Sequence, residues 1–307
     1  MMRQQVKYYT EFLQRENYKS FYLAFLRVII SLWLLKEIAI KWESLDLLYG
    51  PSCFQVLKEN SIAKYFPGGF SFIHAHYLFI FIIYIVLIVF NIVGIGRWIT
   101  ALLLFLMTDL VQKMNMPIVN GGDMLARLIL LYLIFADSYQ YFVMFKSRQV
   151  SVSRKRTMNL LSNLSALSVM IQLCLIYFAS GLAKLNTNLW WHGEATYYAL
   201  SIERFMGTRY NKLLIQNKWF DIFTGYSVLV FEILFPFLIW IKKLRKLLLV
   251  SGFLFHAVIY VFLMIFGMEV VFVLVYGLFL PNRQWLNFAS RIKLIKRGNS
   301  KLILTAH

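Results

Sequence analysis

Acidic residues, cysteine and proline are all scarce in this 307-residue sequence. Charged residues make up only 15% of it, whereas an ordinary soluble domain carries about 25%. Its two cysteines, Cys53 and Cys174, form no Cys-x-x-Cys motif or Cys/His cluster, so neither a disulfide scaffold nor a structural zinc site is supported. Five prolines leave the apolar runs long and unbroken, which favours helices. A disordered chain and a coiled coil are excluded.

Hydrophobic residues, in contrast, are abundant. They make up 60% of the chain, aromatic residues make up 18%, and the mean hydropathy is +0.65. A water-soluble globule of this length cannot hide so much apolar surface, so a soluble enzyme is not expected. We therefore predict an all-α fold, namely a polytopic bundle of membrane helices.

Seven apolar runs are long enough to cross the roughly 30 Å hydrocarbon core of a bilayer, which takes about 20 residues. An eighth run is shorter and follows a break at Gly267, which predicts a helical hairpin folded at that glycine. The eight predicted spans are 20–41, 72–94, 97–115, 123–145, 160–183, 219–241, 246–266 and 268–281.

The distribution of Lys and Arg predicts the orientation of these spans. With both termini in the cytoplasm, the inner segments carry 20 of these residues and the outer loops carry 9, while Arg27, Lys36 and Arg127 lie within spans. We therefore expect a multi-pass protein of the cell membrane. The net charge of +18 then fits contact with anionic lipid headgroups rather than with nucleic acid.

The sequence shows no internal repeat, so a single membrane domain is predicted over 20–285. It lies between a cytoplasmic N-terminal segment, 1–19, and a basic cytoplasmic tail, 286–307. The long outer loops are 42–71 and 184–218. The lack of an inverted repeat also argues against a secondary transporter.

Charged side chains inside spans are costly, so each needs a reason. Four of them form the predicted polar part of an outward-facing chamber: Lys36, Asp109, Asp123 and Arg127. The spacing of Asp109 to Lys113 and of Asp123 to Arg127 is that of favourable i,i+4 pairs on one helix, which offers a purely structural alternative. Lys36 and its neighbour Glu37 are expected to diverge.

Two further groups, Glu232 and His256, are predicted to lie deeper in the membrane. They are either a buried structural pair on neighbouring helices or functional groups that orient and shuttle protons. His74 and His76 stand two residues apart at the start of a span, and because such side chains diverge on a helix, no metal site is predicted there.

Lys184 closes the fifth span, and no acid lies three or four residues away from it in the sequence. A lysine in an apolar pocket without a fixed partner should have a lowered pKa, which would suit it as a base or nucleophile near neutral pH. The alternative is an interfacial lysine that snorkels to the headgroups.

Two stretches carry a family resemblance. One is Tyr177-Phe178-Ala179-Ser180-Gly181-Leu182-Ala183-Lys184-Leu185 followed by Trp190-Trp191-His192-Gly193; the other is Asn120-Gly121-Gly122-Asp123 with Phe135-Ala136-Asp137. Together with Phe255-His256, they resemble the horizontally transferred transmembrane (HTTM) domain family, which includes the membrane part of vitamin K-dependent gamma-carboxylase. The resemblance covers roughly 20–285.

The resemblance implies that Lys184 is the catalytic base, assisted by His256 and Glu232, and that carboxylase-like lyase chemistry takes place in the outward-facing chamber. It also implies a lipophilic quinone-type cofactor that enters from the lipid, with Trp190, Trp191 and His192 lining the mouth of the site. Two departures argue against glutamate carboxylation. Gly122 stands where the carboxylase has a histidine, and a basic tail replaces its large extracytoplasmic domain.

The compact form is also similar to stand-alone bacterial members, among them the sporulation-delaying-protein B group. That similarity implies a second function, as a non-catalytic membrane component in the maturation, export or immunity of a secreted peptide. The outer loops 42–71 and 184–218 would then contact the peptide.

Overall fold

The computed structural model describes residues 2–51, 53, 69–145, 150–203, 206–265 and 267–292, and every regular element in these ranges is helical. The fifteen α-helices of this described part are α1 Met2–Arg15, α2 Ser20–Lys41, α3 Leu45–Tyr49, α4 Gly69–Ala75, α5 Tyr77–Val93, α6 Trp98–Met114, α7 Gly121–Leu133, α8 Val152–Leu185, α9 Asn188–Trp191, α10 Ala195–Ser201, α11 Asn211–Leu214, α12 Lys218–Leu238, α13 Lys242–Leu263, α14 Met268–Tyr276 and α15 Asn282–Arg291. Short 3₁₀ turns follow α2, α6 and α14.

The predicted all-α class is confirmed for the described part of the chain. Among the residues that the structure describes, three helices are long and apolar enough to cross a membrane, namely α8, α12 and α13, and two shorter apolar helical segments are Tyr77–Val93 and Met268–Phe279. These helices indicate a membrane-associated protein. Eight spans and cytoplasmic termini stay predictions. Residues 54–68 of the first predicted outer loop and 293–307 of the predicted tail lie outside the described residues.

The predicted span 123–145 is wrong in extent, because α7 ends at Leu133. Thirteen helical residues rise about 20 Å, which is short of the bilayer core. Beyond the helix, side chains from other helices bind part of the backbone: Ser162 Oγ lies 2.7 Å from the Asp137 amide nitrogen, and Arg27 binds the Phe142 carbonyl at 2.7 Å. Apolar composition alone could not reveal these partners.

Helix α8 begins eight residues before the predicted span 160–183 and contains 34 residues. The chain divides into two compact units, and the division falls inside this helix. Unit 1 comprises Met1–Ala166 and Leu280–His307, and unit 2 comprises Leu167–Phe279.

In unit 1, α2 packs against α5, α7 and α15. Helix α15 brings Leu286 and Ala289 against Phe21, so the predicted boundary at 285/286 falls inside a packed helix. The N-terminal segment is also held: Asn163 donates from its side-chain amide to the carbonyls of Leu13, at 2.8 Å, and Glu16, at 2.7 Å.

Arg27 is the largest fully buried side chain of unit 1, with 1% of its surface exposed. Its guanidinium donates to the carbonyls of Asn91 and Ile92 at the end of α5, and to those of Tyr141 and Phe142. The carbonyl end of a helix carries partial negative charge. The backbone carbonyls therefore compensate the positive charge of the buried guanidinium. Arg27 therefore ties α2 to α5 and to the irregular segment after α7.

In unit 2, the helices α8, α12, α13 and α14 share an aromatic core centred on Phe235. Its ring lies 4.9 Å from Tyr177, 5.3 Å from Phe231 and 5.8 Å from Tyr276 between centroids. The predicted break at Gly267 is confirmed: α13 ends at Leu263, α14 starts at Met268, and Gly267 has a φ of 95°. The two helices pack against each other.

Replacing Arg27 with Met should destabilise the protein by about 3 kcal/mol, because several buried carbonyls lose their donor. Replacing it with Lys should restore part of this loss. Thermal unfolding in detergent micelles measures both effects. The exposed Arg156, changed to Met, is the control and should shift stability by less than about 0.5 kcal/mol. Equal effects at positions 27 and 156 would contradict the role of Arg27.

Candidate functional site

Lys184, the penultimate residue of α8, forms an ion pair with Glu232 of α12. Its Nζ lies 2.7 Å from each carboxylate oxygen and 2.6 Å from Ser180 Oγ, one helical turn earlier. The lysine side chain is 21% exposed, whereas that of Glu232 is 5% exposed. The pair therefore presents an accessible amine in front of a buried carboxylate.

A glycine lets the two helices approach closely beside this pair. A Cβ added at Gly181 would lie 3.3 Å from Cβ of Glu232 and 2.7 Å from Cδ1 of Ile233. The first contact is tighter than most Cβ contacts, and the second meets the end of the Ile233 side chain, so a larger residue at position 181 would require both neighbours on α12 to shift. The glycine in the Ser180-Gly181 sequence thus has a direct packing reason.

The prediction that Lys184 has no fixed partner is wrong. Counting three or four residues in either direction tests only partners on the same helix, whereas Glu232 is 48 residues away in sequence and comes from α12. The lysine therefore has a carboxylate partner on a neighbouring helix, and the argument from an unpartnered amine does not apply.

Of the three residues predicted to line the mouth, only Trp190 has a described contact with the amine. The ammonium lies 5.2 Å from the centroid of its ring, a distance at which a cation is attracted to the aromatic face. Trp191 donates from Nε1 to the Leu185 carbonyl at 2.6 Å, and its own carbonyl accepts from Tyr226 at 2.6 Å. His192 is exposed.

His256 belongs to a second network, which is fully buried. Its Nε2 lies 2.5 Å from the hydroxyl of Tyr177, and that hydroxyl lies 2.5 Å from the hydroxyl of Tyr276. Its Nδ1 contacts Oε2 of Glu269. The suggested pair of Glu232 with His256 is therefore not formed, since each has another partner.

The sequence interpretation missed Glu269, Tyr177 and Tyr276 as members of a polar network. Tyr177 stands inside the Tyr-Phe-Ala-Ser-Gly motif, and Glu269 is the acid beside the break at Gly267. Both residues were therefore visible in the sequence. They could not be paired with His256 from the sequence, because Tyr177 lies on α8 and Glu269 on α14, and the contacts form only when α14 folds back on α13.

The four residues of the predicted polar chamber lie in unit 1 and find local partners. The Asp109–Lys113 pair is confirmed at 2.7 Å. The Asp123–Arg127 pair is wrong, because Arg127 binds Asp109 at 2.8 Å. Lys36 does not diverge from Glu37 but contacts it at 2.9 Å, since the carboxylate reaches sideways along the helix surface.

Asp123 serves instead as part of the cap of α7. Its Oδ2 accepts from the Asn120 amide at 2.9 Å, while Asn120 Oδ1 accepts from the amides of Gly122 and Asp123. This reciprocal capping box satisfies amides that a helix start leaves open. Lys184, Glu232 and His256 lie in unit 2, so one common chamber stays a prediction.

No group of three or more His, Cys, Asp or Glu side chains within the described ranges is placed to hold a metal ion. Nδ1 of His74 lies 2.7 Å from the Tyr49 carbonyl and 3.4 Å from Sγ of Cys53, and Nδ1 of His76 lies 2.8 Å from the Phe72 carbonyl.

In comparisons with known proteins, no family model, curated protein or solved structure matches this chain. The resemblance to the HTTM family therefore depends on the motifs quoted above and stays a prediction.

Replacing Lys184 with Met should cost about 3 kcal/mol, because it leaves the buried Glu232 carboxylate without its partner. Replacing Glu232 with Met should cost less, because the Lys184 side chain that it leaves unpaired is partly exposed. The double variant with Met at both positions should lose much less than the sum of the two. Thermal unfolding of the four proteins measures this coupling. Strictly additive losses would contradict a direct ion pair.

Proposed function

We propose that this protein is a multi-pass cell-membrane protein of the HTTM kind, with an intramembrane acid–base site at Lys184 and Glu232. The observation that supports this most is the accessible amine held by a buried carboxylate. The carboxylate lies on α12, one of the helices long and apolar enough to span a bilayer. Cytoplasmic termini follow from the excess of Lys and Arg in the inner segments.

The chemistry of this pair is proton exchange with a substrate. At 2.7 Å, Glu232 is close enough to take a proton directly from the Lys184 ammonium. This transfer gives a neutral amine beside a neutral carboxylic acid, so it leaves no unpaired charge in the site. The partly exposed amine is then the base, and Glu232 holds the proton until it is returned.

The resemblance also implies a lipophilic quinone-type cofactor, and two residues of the site suit its ring and its oxygens. The indole of Trp190 offers an aromatic face, and the Lys184 amine offers a donor for an oxygen atom. When bound, such a group would supply the redox chemistry of the reaction. The described side chains would bind it and orient it.

One feature favours the second candidate, a non-catalytic component that binds a secreted peptide. The short helices after α8 and the residue that precedes α11 expose large side chains to their surroundings: Trp191, Tyr197, Tyr198, Tyr210 and Leu213. Exposed aromatic residues are typical of peptide-binding surfaces, and also of membrane–water interfaces.

A complementation experiment tests the proposed site. A host strain that lacks the gene receives the wild-type protein, Lys184→Ala, or the control Lys212→Ala, which changes an exposed lysine in α11. Mass spectrometry then compares secreted peptides and membrane lipids. We expect the wild type and the control to restore the profile, and Lys184→Ala to fail at equal protein levels.

Restoration by Lys184→Ala would overturn the acid–base role. The second candidate predicts a different pattern: a peptide that co-purifies with the Lys184→Ala protein and is lost when Tyr197 and Tyr198 are both changed to Ala.

A further inference from the structure

Asp123 of unit 1 is a buried carboxylate that has no cation in contact with it among the described residues. It is 7% exposed, and the bases of α6 and α7, Lys113 and Arg127, both bind Asp109 instead. Its Oδ2 accepts from the Asn120 amide at 2.9 Å. A carboxylate held away from water needs a cation or a proton beside it.

A small cavity adjoins this carboxylate. It has a volume of about 50 Å³ and is lined by residues of α2, α3, α5, α6 and α7. The charged side chains in its lining are Glu37, Lys41 and Asp123. Lys41 contacts Glu37 at 3.2 Å, and Lys36, which also contacts Glu37, lies outside the lining with 45% of its side chain exposed. Two carboxylates and one ammonium leave the lining with one net negative charge.

Gln112 adds a second buried acceptor to the same lining. It is 8% exposed, and its Nε2 donates to the main-chain carbonyl of Asp123 at 2.8 Å. Because a carbonyl can only accept, this bond fixes which end of the side-chain amide is the nitrogen. The other end, Oε1, has no hydrogen-bond partner among the described residues. A buried acceptor of this kind requires a donor or a cation.

The Tyr49 side chain, which also lines the cavity, lies close to both carboxylates. Burial raises the pKa of Tyr49, and the charges of Asp123 and Glu37 raise it further. Two carboxylates from different helices, α7 and α2, therefore act on one buried hydroxyl. Their combined field favours a positive charge in the cavity.

We infer that this cavity binds one Na⁺ ion, held by the Asp123 carboxylate and by Oε1 of Gln112. Carboxylate, amide and water oxygens are the ligands that hard cations prefer, so an alkali ion does not need a cluster of three acidic, His or Cys side chains. The ion would compensate Asp123 and tie α6 to α7.

Charge and size select the ion. One net negative charge suits a monovalent cation, since a divalent ion would leave an excess positive charge at a buried site. At roughly 10–15 Å³ for each water-sized group, the cavity accommodates a small ion with two or three waters. An organic ammonium such as choline is too large for it.

Binding of radiolabelled Na⁺ to the purified protein in detergent tests the site. We expect saturable binding that unlabelled Na⁺ displaces and choline does not. Asp123→Asn should lower the affinity at least tenfold, because it removes the charge, while the asparagine oxygen can still accept from the Asn120 amide. The control Asp137→Asn, which changes a carboxylate outside the lining, should bind like the wild type.

A second pair of variants tests the amide oxygen. Gln112→Leu should also weaken binding at least tenfold, whereas Gln140→Leu, a change at an exposed glutamine, should not. Because a ligand that binds only the folded state stabilises it, Na⁺ in place of choline at equal ionic strength should raise the melting temperature of the wild type. It should leave that of Asp123→Asn unchanged.

Three results would each overturn the inference: no saturable Na⁺ binding by the wild type, displacement by choline, or wild-type affinity in either folded cavity variant. The first would mean that water or a proton satisfies Asp123 and Gln112. If Asp123→Asn fails to fold, the wild type and Gln112→Leu still decide. The site includes neither Lys184 nor Glu232, so its outcome is independent of the complementation experiment.

Discussion

The ion pair between Lys184 and Glu232 is the interaction on which the account of unit 2 depends. Taking an ammonium and a carboxylate out of water costs several kcal/mol for each ion, and this cost is offset only when the two are in direct contact. The pair therefore fixes α8 against α12, and Gly181 allows the two helices to approach closely enough for it. Any chemistry of the accessible amine starts from this contact.

The protein compensates the charges of its buried side chains in two different ways. Arg27 in unit 1 is bound by backbone carbonyls, which are fixed dipoles that cannot take up a proton. Lys184 and His256 in unit 2 contact carboxylates, and a carboxylate can take up a proton. The first arrangement suits a structural link between segments of the chain. The second suits proton exchange, because each base has an acceptor within contact distance.

The sequence predicted the features that depend on composition and on neighbours along the chain. The helical class, the break at Gly267 and the Asp109–Lys113 pair all follow from local patterns. Lys184 and Trp190 were also found as neighbours in one motif. Partners on other helices could not be found in this way: Glu232 for Lys184, Glu269 for His256, and Asp109 for Arg127. The end of α7 at Leu133 was missed because distant side chains bind the backbone beyond it.

A charge exchange between positions 184 and 232 tests the central claim most directly. Lys184→Glu should strongly lower the melting temperature in detergent, because it places two carboxylates together at a buried site. Adding Glu232→Lys to that variant should recover most of the loss, since it restores opposite charges in contact. A doubly exchanged protein no more stable than Lys184→Glu alone would contradict the pair.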